Sequence, residues 1–88
     1  MVFLAATFAE WLGVQMDRKG IRSGRRLAAE TGLDELLVLD WAIGRRVPTR
    51  EETDTLVRFF ATNSAEAHAL RDKSEQALPK RRNQINAG

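Results

Sequence analysis

The chain has 88 residues, 14 of them Lys or Arg and 12 Asp or Glu, for a formal net charge of +2. That length supports one domain with a single small core, and leaves no room for two lobes around a catalytic cleft. There is no Cys and only one His, His68, which excludes a disulfide framework, a thiolate metal site and a His cluster, so no metal and no cofactor is expected.

The apolar run at Met1 to Ala6 is far too short to span a bilayer, and no Lys or Arg precedes it as a signal peptide requires. A cytoplasmic protein without a membrane partner is expected. From there the pattern is helical: no stretch alternates apolar and polar residues as a strand does, and β-branched residues are sparse. Thr7 with Glu10, Thr49 with Glu52 and Asn63 with Glu66 have capping-box spacing, and Ser23 and Asp34 are further N-cap candidates. Gly20, Gly32 and Gly44 follow helical stretches, where a glycine can take the left-handed turn that ends a helix.

These marks predict helices over 7–19, 23–31, 34–43, 49–62 and 64–78, the last stopped by Pro79. One domain over 1–78 and a basic, disordered tail over 79–88 are expected. Phe8, Leu12 and Met16 share a face of the first helix. Leu27 and Ala28 point inward from the second, Leu33, Val38 and Trp41 from the third, and Leu56, Phe59 and Phe60 from the fourth. Trp11 and Val14 lie off the first face and suit either rim packing against Phe3 and Leu4 or a dimer contact. His68, in an Ala-rich helix, is expected to be solvated. Glu51 and Glu52 sit in a first helical turn, where capping explains them better than acid–base catalysis. No phosphate loop, nucleophile elbow or metal signature is present, so neither an enzyme nor a small-molecule substrate is expected.

Charge is distributed unevenly. Arg18, Lys19, Arg22, Arg25 and Arg26 form one basic cluster, Arg45, Arg46 and Arg50 a second, and Lys80, Arg81 and Arg82 a third. Asp34, Glu35 and Asp40 form an acidic patch between the first two. Any one cluster alone reads equally as a solvated helix face.

The second and third predicted helices, joined by a turn at Gly32, make a helix-turn-helix. Phe8-Ala-Glu-Trp-Leu12, then Arg26-Leu27-Ala28-Ala29-Glu30-Thr31-Gly32-Leu33, then Trp41-Ala-Ile-Gly44-Arg45-Arg46-Val47-Pro48 appear in order. In these residues the chain resembles the lambda-repressor-like (XRE) family of helix-turn-helix regulators, mostly bacterial and phage proteins. The resemblance runs over about residues 7 to 62. It implies an all-α, five-helix domain that binds double-stranded DNA to regulate transcription, with the third helix in the major groove. Carried over position by position, the base-reading slots are Glu35, Leu36 and Asp40, with Leu39 nearby. The phosphate-facing slots include Ser23, Gly24, Ile43, Arg45 and Arg46, and the arginine clusters add Arg25, Arg26 and Arg50.

Family members commonly place hydrogen-bond donors in the reading slots, where this chain has two carboxylates and a leucine. Gly24 stands where many members have a phosphate-binding Gln. A carboxylate about 6 Å from a phosphate costs roughly 0.7 kcal/mol at water's dielectric and about 3 kcal/mol at an effective value of 20. Against that, carboxylates accept from cytosine N4 and Leu36 suits a thymine methyl. Arginine–phosphate contacts add counterion release. As first-turn residues, Asp34 and Glu35 also favour the helix dipole by about 0.3–1 kcal/mol each. Two readings therefore stand: a DNA-binding regulator, or a protein-interaction module that uses Leu36, Leu39 and Asp40 for a protein partner or a homodimer.

Overall fold

Each helix begins at a short polar side chain that accepts from a backbone N–H three residues on. Thr7, Ser23, Asp34, Thr49 and Asn63 accept from the N–H groups of Glu10, Arg26, Leu37, Glu52 and Glu66. The computed structural model describes residues 5–78. It has five helices, α1 (Phe8–Lys19), α2 (Gly24–Thr31), α3 (Glu35–Ala42), α4 (Arg50–Phe60) and α5 (Ser64–Ala77), and no strand among the described residues. The expected basic tail from Pro79, with Lys80, Arg81 and Arg82, lies outside the described residues. So do Phe3 and Leu4, the expected neighbours of Trp11 and Val14.

Only the Thr49 cap closes as a reciprocal box, with the Glu52 carboxylate accepting from Thr49 N at 2.8 Å. At α1 the Glu10 carboxylate instead accepts from Ala6 N, one residue ahead of the cap. The end of α1 is a Schellman motif: Gly20 has φ 76°, Gly20 N donates to Asp17 O, and Ile21 N donates to Met16 O. Such a turn folds the residue after the glycine back onto the helix, and Ile21 is buried there. α4 ends the same way without a glycine: Ala61 takes φ 53°, and Thr62 N donates to Val57 O.

Phe8, Trp11, Leu12, Ile21, Leu27, Ala28, Val38, Trp41, Leu56 and Ala67 form the buried core. Met16, Leu33, Phe59 and Phe60 pack against its edge and are only partly buried. Trp11 corrects the rim assignment, being only 2% exposed. Its ring lies 5.0 Å from Phe8 and 6.1 Å from Phe60, centroid to centroid. The physical reason is that α1 packs against α3, α4 and α5 together. A helix with three neighbours buries a wider arc than the single stripe that Phe8, Leu12 and Met16 define. His68 is a second correction: its Nε2 lies 2.7 Å from an Asp54 carboxylate oxygen, and its side chain is only 20% exposed. That contact ties α5 to α4. No helix among the described residues is long and apolar enough to cross a membrane.

Candidate functional site

α2 and α3 are packed directly on each other. Val38 and Trp41 turn α3's buried side into the core, beside Leu27 and Ala28 of α2. The opposite side of α3 is open and apolar. Leu36 is 73% exposed, Ile43 just past the helix 72%, and Leu39 40%. Positions 36, 39 and 43 follow i, i+3, i+7 spacing, so the three side chains form one stripe.

Leu39 is the least free of them because it leans on the start of α2. A β-carbon built on Gly24 would meet Leu39 Cδ2 at 2.8 Å and Val38 Cγ1 at 3.4 Å. Any side chain at position 24 would have to displace Leu39, so Gly24 and Leu39 fit as a pair. The slot expected to face phosphate is in this way covered by a leucine from α3. Ser23 is exposed, and its hydroxyl oxygen is the α2 cap, accepting from Arg26 N at 3.1 Å. The hydroxyl proton stays available for donation.

Both acidic slots are paired with arginines. Arg25 Nε lies 3.3 Å from the Glu35 carboxylate. Arg46 Nε lies 3.3 Å from one Asp40 oxygen, and a terminal nitrogen of Arg45 lies 3.9 Å from the other. Backbone geometry makes the second arrangement possible. Gly44 takes φ 79° and reverses the chain, so that Arg45 N and Arg46 N both donate to Asp40 O. Arg25 therefore sits at the N-terminal end of α3, and Arg45 and Arg46 at its C-terminal end.

The remaining arginines go elsewhere. Arg26 pairs along α2 with Glu30 at 2.7 Å, and Arg50 pairs with Asp72 of α5 at 3.1 Å. Of the residues expected to form one surface, Arg25, Glu35, Leu36, Leu39, Asp40, Arg45 and Arg46 come together around α3. Arg26 and Arg50 pair away from α3, with Glu30 of α2 and Asp72 of α5. All five arginine side chains are between 62% and 82% exposed. Exposed pairs of this kind contribute about 0–1 kcal/mol each, so the arginines exchange partners at little cost.

The loop carrying Arg45 and Arg46 is anchored by a residue the sequence did not single out. Arg71 on α5 is buried, and its Nε donates to Pro48 O at 2.7 Å. Its other nitrogens meet Asp72 and, at 3.0 Å, Glu75. A buried guanidinium is tolerated when its donors are met this fully. The Arg71 hydrogen bond is the main cause holding the Asp72 carboxyl below its usual range, and Arg50 adds to it. A buried arginine on a polar helix carries little sequence signal. The one available hint was the Arg71–Glu75 spacing.

An open cleft of about 380 Å3 lies between the start of α1, the end of α3 and the end of α5, lined by Phe8, Trp41, Val47 and Leu78 among others. Its polar groups are already engaged: Ser74 Oγ accepts from Phe8 N, and Arg46 faces Asp40. No group of three or more acidic or His side chains among the described residues is placed to hold a metal ion. The exposed α3 face is therefore an apolar stripe with an arginine–carboxylate group at each end. No family model, curated protein or solved structure matches this chain.

Proposed function

We propose that this domain binds double-stranded DNA as a cytoplasmic helix-turn-helix regulator, with α3 in the major groove and arginines on the flanking phosphates. The observation that carries the reading is the placement of Arg25 at one end of the exposed α3 face and of Arg45 and Arg46 at the other. An α-helix with its side chains is about 10–12 Å across, which a major groove of about 12 Å admits. Cations at both ends of such a helix meet the phosphates that border the groove. The resemblance of 7–62 to the lambda-repressor-like family supports the same docking.

Titration against a mixed-sequence duplex at two salt concentrations tests it. Three phosphate contacts per domain give a log–log salt slope of about −3, and contacts from Arg26 and Arg50 would steepen it towards about −5. A slope near zero, or no binding at low salt, removes the reading. The alternative, a protein contact or homodimer through α3, is favoured by the exposure of Leu36 and Ile43. It predicts that their truncation abolishes assembly and leaves the fold intact.

A further inference from the structure

We infer that the α3 face reads thymine methyl groups, with Leu36 and Ile43 as the specificity-determining residues. This rests on the DNA reading above and names the bases to which that site responds.

The argument is one of elimination. The exposed face of α3 offers no hydrogen-bond donor. Along Glu35–Ala42 only Trp41 carries a side-chain N–H, and it is 1% exposed in the core. A face without donors cannot pair with the purine N7, guanine O6 or thymine O4 acceptors of the major groove. Its two carboxylates are the groups suited to cytosine or adenine amino donors, but each lies beside arginines, Glu35 by Arg25 and Asp40 by Arg45 and Arg46, and a guanidinium with five N–H donors keeps its carboxylate while it meets a phosphate. What α3 presents freely is hydrocarbon, and the thymine C5 methyl is the one apolar group that the major-groove edges display.

Leu39 is partly spent on Gly24, which leaves Leu36 and Ile43 as the two most exposed side chains of the stripe. Seven residues apart, they lie about 10.5 Å apart along the helix axis. That is roughly three base steps of about 3.4 Å, so the two thymines are expected about three steps apart. Asp34, Glu35 and Asp40 equal Arg25, Arg45 and Arg46 in number, but each arginine is more exposed than the carboxylate it pairs with, which favours DNA as the occupant over a protein. The stripe is bracketed by exposed arginines at both ends, which complement a phosphate backbone running past each end of the helix. Three apolar side chains also fall far short of the roughly 20–30 residues a side that a stable protein interface uses.

The test uses duplexes that the parent protein enriches from a randomised pool. Each is synthesised twice, once with thymine and once with uracil, which lacks only the C5 methyl. The parent is expected to bind the thymine form roughly four-fold more tightly for each methyl it covers, hence about fifteen-fold for two. Leu36→Ala and Ile43→Ala each lose one such step, and the double variant binds both forms alike. Both positions are exposed, so an unchanged melting temperature confirms that the variants are folded. Equal binding of thymine and uracil duplexes by the parent overturns the inference and leaves arginine docking standing. No binding of either duplex at low salt takes down the DNA reading itself. Self-association in sedimentation that the double variant abolishes assigns the stripe to a second copy of the chain, and overturns the inference as well.

Discussion

Asp40→Asn separates the contributions on the α3 face. The parent carboxylate lies 3.3 Å from Arg46 and 3.9 Å from Arg45, with its side chain 21% exposed against 63% and 72% for the two arginines. Removing its charge affects the fold little. Each exposed pair contributes about 0–1 kcal/mol, and an acid in the last turn of a helix opposes the dipole by about 0.3–1 kcal/mol. Those terms offset one another, so unfolding stability is expected to stay within about 1 kcal/mol of the parent. On DNA the same change removes a negative charge close to phosphate and releases two arginines. At about 6 Å the repulsion is roughly 0.7 kcal/mol in water and about 3 kcal/mol at an effective dielectric of 20. The exposure of both arginines puts the gain near the lower figure, about 1 kcal/mol, or roughly five-fold tighter binding. Fluorescence anisotropy with a labelled mixed-sequence duplex, at about 50 and 200 mM salt, reads it. The gain should apply to every sequence and shrink at the higher salt as the Debye length contracts. Unchanged affinity in a folded variant would refute the reasoning, because the Asp40–arginine group would then not face the nucleic acid. A loss confined to one sequence would instead make Asp40 an acceptor for a cytosine amino group.

Three further outcomes follow from the packing. Trp41→Ala, at a side chain 1% exposed in a small core, should cost about 3–5 kcal/mol; circular dichroism showing an unchanged melting point would remove Trp41 from the core. Ala61→Gly relieves a left-handed alanine at φ 53° and should stabilise by about 0.5–1 kcal/mol in urea unfolding, after the entropic cost of glycine; destabilisation would mean that the Ala61 methyl packs usefully. The Asp72 carboxyl is held below its ordinary value, chiefly by the Arg71 hydrogen bond and then by Arg50, so its contribution is present above the unfolded value of about 3.8 and is lost as pH falls through the lower folded value. Asp72→Asn should therefore weaken the domain at neutral pH and leave it closer to the parent once the pH falls below the folded value; parallel stability–pH curves would contradict that.

Local chemistry is strongly legible in this chain because helix ends are decided by one or two side chains. Five caps, at Thr7, Ser23, Asp34, Thr49 and Asn63, are readable from residue type and spacing, and all five accept the bond expected of them. The order of the five helices and most of the inward residues follow from the same marks and from 3.6-residue periodicity. Where periodicity fails it does so for a physical reason. A stripe assumes one neighbour, and α1 has three, so Trp11 goes inside. Ile21 is carried inward by the turn geometry after Gly20, which no helical period contains.

The binding face is a different matter. The family resemblance points to Glu35, Leu36, Leu39 and Asp40, and residue type to the arginines, but which charges meet is a property of three-dimensional distance. Arg25 and Glu35 are brought together by the packing of α2 on α3, and Arg45 and Arg46 reach Asp40 because Gly44 turns the chain back. Arg26 and Arg50, equally basic in the sequence, pair instead with Glu30 and Asp72. Burial of Arg71 under the Pro48 carbonyl depends on α5 returning to a loop 23 residues earlier. Sequence alone determined the helices, their caps and the core's main members, since each depends on neighbours within a few residues along the chain. Tertiary structure alone decided that Arg25 meets Glu35, that Arg50 meets Asp72 and which leucines stay in water, because those outcomes depend on separate helices and no local spacing encodes the angle at which helices pack.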